Sequence, residues 1–100
     1  MPYKRLAVIQ RQIFFVFREA LSNVEKHAQA TQADVKMIWG NDDLVIKISD
    51  NGKGFIPDSV DSANHFGLRY MKERTELISG KFDLCTAPGE GTRVFLHLPV

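Results

Sequence analysis

Hydrophobic positions along this chain first recur at a helical period. From near residue 10 to Ala28, apolar residues return every three or four positions with no glycine or proline between them. This spacing is typical of an amphipathic helix. We expect the helix to begin between residues 6 and 10, after an extended start. Its predicted buried stripe is Ile13, Phe17, Ala20, Val24 and Ala28, widened by Phe14 and Leu21.

The period then changes to two, which predicts a pair of strands. Residues 33–39 alternate between apolar and polar side chains, and residues 43–50 do the same. The segment Gly40-Asn41-Asp42 between them is a turn signal, so we expect an antiparallel hairpin. Met37 and Trp39 are expected to belong to its hydrophobic core.

The second half of the chain predicts a long loop, a helix and two more strands. Residues 51–64 are rich in loop-forming residues, and a connection of this length is usually functional. Residues 66–79 predict a helix followed by Gly80 as its C′ residue. Residues 82–86 and 92–98 predict strands around a turn at 87–91. The inward positions are Leu68, Met71, Thr75 and Ile78 on the helix and Thr92, Val94, Leu96 and Leu98 on the last strand.

Composition narrows the class of protein without naming a function. A chain of 100 residues with 44% apolar and 25% charged residues predicts one globular domain, residues 1–100. Thirteen basic and 12 acidic residues give a net charge of +1, which indicates neither a nucleic acid nor a membrane surface as partner. Cys85 is the only cysteine and is expected to be a small core side chain. No apolar run approaches the roughly 20 residues of a membrane span.

A carboxylate at the end of the second predicted strand is the first candidate for chemistry. Asp50 shares the parity of Leu44, Ile46 and Ile48, so an apolar face ends in an acid pointing the same way. Gly52 and Gly54 follow, and glycine lets a ligand approach the backbone. This pattern fits a nucleotide site and equally a loop with a solvated acid. Thr92, at the start of the last strand, is a candidate second polar group or simply a strand-favouring residue.

The first helix carries a column of polar side chains at the edge of its apolar stripe. Glu19 and Asn23 are four residues apart, and Lys26 and His27 lie within about 100° of them around the helix. An acid and an amide are suitable ligands for hydrated Mg²⁺. The same column is also compatible with a solvated helix face. Gly67, in the first turn of the second helix, would leave free N–H groups there for a phosphate.

Four motifs in this order resemble the ATP-binding catalytic domain of bacterial sensor histidine kinases, in the GHKL ATPase superfamily. The segment from Arg18 to Ala28 resembles the N box, and Asp50-Asn51-Gly52-Lys53-Gly54-Phe55 resembles the G1 box. Residues 66–74 resemble the second glycine box, and Gly89-Glu90-Gly91-Thr92 resembles the terminal Gly-x-Gly-Thr. The Lys-His-Ala and Met-x-Glu-Arg elements are similar to those of the nitrate-sensor, degradation-regulator and cell-wall-stress group.

The resemblance implies a fold and a ligand. The fold would be α+β, a two-layer α/β sandwich of the Bergerat type with helices on one face of a mixed, mostly antiparallel sheet. The ligands would be ATP and Mg²⁺. Metal contact is implied for Asn23 and, through water, for Glu19, which would also be the catalytic residue. The other nucleotide-binding positions implied are Lys26, His27, Asp50, Gly52, Gly54, Phe55, His65, Phe66, Gly67, Leu68, Gly91 and Thr92.

The resemblance also implies partners, and the sequence departs from the family pattern at the second glycine box and in a lid that is shorter than in many kinases. His65 stands where the second glycine box usually has its first glycine. None of His27, His65 and His97 has the acidic-Arg-aliphatic-His setting of a phosphoacceptor, so we expect no autophosphorylation by this chain alone. The implied partners are a dimerisation and phosphoacceptor domain of the same kinase and a response regulator. The domain itself would be a monomer in the cytoplasmic part of a membrane-bound sensor.

Two alternative functions are compatible with the same motifs. An anti-sigma-factor serine kinase of this fold would phosphorylate a serine of a partner protein and would need no acceptor helix. A degenerate nucleotide-binding or docking module would transfer nothing, and His65 is the feature that favours it. The Lys26-His27-Ala28 and Met71-x-Glu73-Arg74 patterns favour the histidine kinase.

Overall fold

The structure is a computed structural model that describes residues 3–25, 29–54 and 66–99. Within these ranges there are two helices and four strands, and each helix is followed by a pair of strands. The last turn of the first helix widens to π-helical geometry at residues 24 and 25. The elements are α1 (Tyr3–Asn23), β1 (Ala33–Trp39), β2 (Asp43–Asp50), α2 (Phe66–Leu77), β3 (Lys81–Thr86) and β4 (Thr92–Pro99).

The four strands form one sheet in the order β1-β2-β4-β3, and every pairing among them is antiparallel. β1 and β2 form the predicted hairpin, with Trp39 opposite Leu44. Placing β4 between β2 and β3 puts Asp50, the last residue of β2, opposite Thr92, the first residue of β4. The α+β architecture predicted from the sequence is therefore confirmed.

The helices cover one face of this sheet and enclose a single core. Alternate residues of β2 and β4 are buried, and the intervening ones are half-buried or exposed. All four inward positions predicted for the second helix are buried. Among the described residues, neither helix combines the length and apolar character that crossing a membrane requires. The buried hydrophobic residues are Ile9, Val16, Ala20, Leu44, Ile46, Ile48, Leu68, Met71, Ile78, Val94, Leu96 and Leu98.

The predicted buried face of the first helix was rotated from the observed one. Ile9, Val16 and Ala20 are buried, whereas Phe14 is 60% exposed and Leu21 is 42% exposed. The Arg18 guanidinium lies 5.9 Å from the centre of the Phe14 ring. The helix also begins earlier than predicted, at Tyr3. Apolar residues occupy so much of this helix that its periodicity could not select the side that faces the sheet.

Three further residues predicted to lie in the core are exposed. Met37 and Trp39 are 52% and 66% exposed, although they lie opposite the buried Ile46 and Leu44. β1 is one of the two edge strands of the described sheet, and among the described residues nothing covers its inner face. Cys85 is exposed because β3 turns Leu84, its neighbour, toward the core.

The end of α2 differs from the prediction by one residue. The left-handed position is Ser79, with a φ of 61°, and not Gly80. Hydrogen bonds from Gly80 N to Thr75 O (3.0 Å) and from Ser79 N to Glu76 O (3.0 Å) form a Schellman motif with Ser79 at C′. Gly80 is required for a different reason, because a Cβ there would lie 2.6 Å from the Leu98 side chain.

Candidate functional site

Asp50 and Thr92 lie side by side where two central strands meet, as the shared parity of each strand suggested. Their opposite positions in the β2–β4 register turn both side chains to the same face of the sheet as the core. Both residues are half-buried. With the glycines around them they form a group that we call the strand-end cluster: Asp50, Gly52, Gly54, Gly91 and Thr92.

The Asp50 carboxylate is held by the loop that follows it. Its Oδ1 accepts a hydrogen bond of 2.8 Å from the Gly52 backbone N–H, closing a local turn. Among the described residues no other group donates to this carboxylate. Asp50 therefore has a fixed orientation and an oxygen, Oδ2, that can accept a hydrogen bond from a ligand.

The Thr92 hydroxyl is placed by Thr86 on β3. The Thr86 hydroxyl donates a hydrogen bond of 2.9 Å to the Gly91 carbonyl oxygen, and the Oγ1 atoms of Thr86 and Thr92 lie 3.2 Å apart. Because the Thr86 hydrogen is used for Gly91, Thr92 is the donor between the hydroxyls. Its lone pairs then remain able to accept a hydrogen bond from a ligand or from water.

Two glycines let the loop after β2 and the turn before β4 approach each other closely. Gly91 has a φ of +73°, and a Cβ there would overlap the Asp50 carbonyl oxygen. Gly54 has a φ of +63°, and a Cβ there would lie 2.9 Å from the Gly91 carbonyl oxygen. A side chain at either position would force the two segments apart.

A second cluster forms where the two helices meet, and we call Glu19, Asn23 and Gly67 the helix-contact cluster. A Cβ at Gly67 would overlap Glu19 Oε1 and lie 3.3 Å from Asn23 Nδ2. The first turn of α2 thus reaches the two polar residues of α1 that the sequence singled out. Only a glycine allows this approach with Glu19 in its present position.

The chemistry of the helix-contact cluster suits a hard cation. Glu19 and Asn23 are half-buried and supply a carboxylate and an amide oxygen, which are the ligand types that Mg²⁺ prefers. Among the described residues neither side chain has a hydrogen-bond partner. No group of three or more His, Cys, Asp or Glu side chains is positioned to hold a metal in this part of the chain. Mg²⁺ usually keeps several waters, so one carboxylate and one amide oxygen are enough protein ligands for it.

Several of the residues predicted for the site lie outside the described residues. These are Lys26, His27, Phe55 and His65. Phe66 begins α2. Leu68 is buried in the hydrophobic core, so its side chain does not face a ligand, and its predicted contact with the nucleotide would have to come from its backbone.

Asn51 has a structural role that its place in the predicted loop did not indicate. Its Oδ1 accepts hydrogen bonds from the backbone N–H groups of Thr31 and Gln32, and each bond is 3.0 Å long. Its Nδ2 donates a hydrogen bond of 2.8 Å to the Thr31 hydroxyl, and its backbone N–H donates one of 3.2 Å to the Gln32 carbonyl oxygen. An asparagine between an acid and a glycine was the available signal.

A comparison with known protein families shows which family has this fold and these two clusters. Residues 8–100 match the family of the histidine kinase-, DNA gyrase B- and HSP90-like ATPases. The chain belongs to this family. The family confirms the resemblance drawn from the four motifs, and it makes the domain an ATP-binding module of the kind that sensor histidine kinases contain.

The curated relatives fall in the subgroup predicted from the sequence. The chain is 37% identical over 92 residues to the sensor histidine kinase LiaS of Bacillus subtilis. It is 34% identical over 92 residues to the signal transduction histidine-protein kinase/phosphatase DegS of Brevibacillus brevis. Each match covers 92% of this chain but only 25% of LiaS and 24% of DegS. The chain thus spans about a quarter of the length of these relatives.

A solved structure supports the same assignment of the fold. The ATP-binding domain of PrrB from Mycobacterium tuberculosis matches with a TM-score of 0.75 and 25% sequence identity. The match covers 89% of this chain and 67% of that one. The arrangement of helices over an antiparallel sheet is therefore shared with an ATP-binding domain.

Proposed function

We propose that this domain binds Mg-ATP and transfers the γ-phosphoryl group to a histidine on the dimerisation domain of the same sensor kinase. The phosphoryl group would then pass to an aspartate of a response regulator, on the cytoplasmic side of a membrane-bound sensor. The observation that carries this proposal is the contact of Gly67 with Glu19 and Asn23, which joins the candidate phosphate and metal positions.

The strand-end cluster would bind the adenine. Asp50 Oδ1 is already occupied by Gly52 N–H, so Oδ2 would accept a hydrogen bond from the adenine amino group. Thr92, opposite Asp50 in the sheet, would accept a second one directly or through water. A charged acceptor makes a hydrogen bond roughly twice as strong as a neutral one, so Asp50 would dominate the affinity for the base.

The helix-contact cluster would hold the phosphates and their metal. Asn23 would contact the metal directly and Glu19 through water, and the N–H groups of the first turn of α2 would face the phosphate oxygens. When bound, Mg²⁺ would neutralise charge on the phosphate oxygens. Glu19 would orient water or accept a proton beside the γ-phosphate, and Gly67 keeps the two helices close enough for both contacts.

The transfer itself requires little acid–base chemistry from this chain. A neutral imidazole nitrogen of the acceptor forms the new N–P bond, the bond from phosphorus to the bridging oxygen breaks, and ADP leaves with that electron pair. The imidazole proton goes to solvent or to Glu19. Positioning and charge neutralisation would therefore supply most of the catalysis.

Calorimetric titration with ADP and a non-hydrolysable ATP analogue, with and without Mg²⁺, tests the nucleotide site. We expect binding that prefers adenine to guanine and that strengthens with Mg²⁺ for the ATP analogue. The absence of binding at millimolar nucleotide would contradict the proposal for this domain.

Asp50→Asn separates the role of the charge from the role of the fold. The amide oxygen can still accept from Gly52 N–H, so the loop and the melting temperature should be retained. The –NH₂ group of the new asparagine would then take the place of Oδ2, and it cannot accept a hydrogen bond from the adenine amino group. We expect ADP affinity to fall by at least about tenfold. Unchanged affinity would show that Asp50 is not the adenine anchor.

Mixing the domain with labelled ATP and a separate dimerisation domain tests the transfer. We expect label on the acceptor histidine and none on the domain alone. Stoichiometric labelling of His27, His65 or His97 would contradict that expectation. Label on a partner serine would indicate the serine-kinase alternative, and binding without any transfer would indicate the docking module.

A further inference from the structure

Asn51 lies between two members of the strand-end cluster but directs its side chain elsewhere. Four hydrogen bonds join it to Thr31 and Gln32, in the connection between α1 and β1. Three of them use its side chain, and both of its side-chain polar atoms are engaged. We call this set of contacts the Asn51 clamp.

The Asn51 clamp controls the group that orients Asp50. The backbone torsions of Asn51 decide where the next N–H, that of Gly52, points. That N–H is the donor that holds Asp50 Oδ1. With Asn51 anchored by its side chain and by its own N–H, the Gly52 N–H is directed at the carboxylate before any ligand binds.

We infer that Asn51 is a positioning residue for Asp50: it fixes the carboxylate in the orientation that receives the adenine amino group. This inference rests on the proposed function of Asp50 as the adenine anchor. Asn51 need not touch the nucleotide, because it acts through the Gly52 N–H. Without the clamp, Asp50 would have to be ordered at the moment of binding, and that ordering lowers affinity.

Asparagine has the side chain that this position requires. One oxygen accepts from two backbone N–H groups, and the amide donates to a hydroxyl. Aspartate would keep both acceptor bonds, and the Thr31 hydroxyl could rotate to donate to it. Leucine has a similar volume and can make none of these bonds.

Loss of the clamp should affect binding more than folding. Asn51, Thr31 and Gln32 are all exposed, so water can replace the bonds of the deleted amide. A net hydrogen bond at such a position contributes modestly to stability. The loss of order around Asp50 is not compensated by water in the same way, because water does not fix the direction of the Gly52 N–H.

The experiment measures ADP affinity by calorimetry, and by ligand-observed NMR for weak binders, in four proteins. These are the unmodified domain, Asn51→Leu, Asp50→Asn and the double variant. We expect Asn51→Leu to lose about tenfold in affinity, and we expect it to have almost no further effect once Asp50 is changed. Asn51→Asp should recover affinity to within about threefold of the unmodified domain.

Asn41→Leu is the matched control, since Asn41 is an exposed asparagine at the opposite end of the same hairpin. It should bind ADP as the unmodified domain does. Losses at positions 50 and 51 that multiply in the double variant would overturn the inference, as would an Asn51→Leu variant with normal affinity. If the unmodified domain fails to bind ADP, the proposed function fails first, so the two failures are distinguishable.

Discussion

The two clusters of the site are built in different ways. In the strand-end cluster, hydrogen bonds within the protein already hold Asp50 and Thr92, and the close contacts at Gly54 and Gly91 are with backbone carbonyl oxygens. In the helix-contact cluster, Gly67 meets the ends of two side chains, and among the described residues these side chains have no hydrogen-bond partner.

This difference indicates that one part of the site is formed before binding and the other is completed by its ligand. Backbone atoms of paired strands cannot move without breaking hydrogen bonds of the sheet. A substitution that forces such a movement in the strand-end cluster should therefore lower the free energy of unfolding. The Glu19 and Asn23 side chains can change rotamer at small cost. A substitution in the helix-contact cluster should therefore lower activity while leaving the free energy of unfolding nearly unchanged. A glycine substitution in each cluster should separate the two properties.

Gly91→Ala should have the largest effect, and the effect should be on stability. The new Cβ would overlap the Asp50 carbonyl oxygen, and the left-handed φ of 73° would be strained for alanine. No side-chain rotation relieves a contact with backbone. We expect a loss of about 3 kcal/mol or more in the free energy of unfolding, measured by urea denaturation.

Gly89→Ala is the control for that measurement. Gly89 has a φ of +81°, but no atom lies within 4 Å of the position that a Cβ would occupy there. It should show only the cost of the strained φ, about 1–2 kcal/mol. Equal losses in the two variants would show that the close approach of Gly91 to Asp50 contributes nothing.

Gly67→Ala should instead preserve the fold and remove activity. The new Cβ displaces the Glu19 carboxylate, which can swing away, while alanine raises helix propensity by up to about 1 kcal/mol. We expect an unchanged or higher melting temperature. Phosphoryl transfer to a separate acceptor domain should fall by about 100-fold, because the displaced carboxylate misplaces the reacting groups.

Glu76→Ala, at an exposed position of the same helix and outside the second glycine box, should leave both the transfer rate and ADP affinity unchanged. ADP binding without Mg²⁺ should also survive in Gly67→Ala, since the strand-end cluster is untouched. A Gly67→Ala protein that unfolds, or that transfers normally, would remove the distinction between the two clusters.

Thr92→Val should give the smallest effect and would sharpen the description of the strand-end cluster. Valine keeps the shape of the side chain, and Thr86 retains its bond to the Gly91 carbonyl oxygen. We expect ADP affinity to fall by about threefold, with a change of under about 1 kcal/mol in stability. A loss as large as that of Asp50→Asn would mean that the Thr92 hydroxyl contributes as much to binding the base as the carboxylate does.

Much of the strand-end cluster could be predicted from the sequence because strand parity is a local property. Alternation along each strand placed Asp50 and Thr92 on the buried face, and the glycines marked the bends beside them. The register that makes these two residues direct neighbours depends on β4 lying next to β2. No local pattern in either strand specifies that order.

The helix-contact cluster and the surface of the sheet were less predictable. The i,i+4 spacing placed Glu19 and Asn23 on one side of α1, but it could not show that Gly67 would reach them from α2. Trp39 was expected in the core because alternation along the first predicted strand places it on the apolar side with Met37. Its exposure shows that no described element covers the inner face of β1, whereas the other edge strand, β3, packs Phe82 and Leu84 against the core.

The sequence by itself determined the elements, the inward faces of β2 and β4 and the motifs that identify the ATPase family, since periodicity and turn chemistry act over a few neighbouring residues. Only the tertiary structure decided which side of α1 faces the sheet and which strands are neighbours. It also decided that the Asn51 side chain hydrogen-bonds to Thr31. Those contacts join residues far apart in the chain. Packing of the whole domain selects them, because each depends on where the other elements lie.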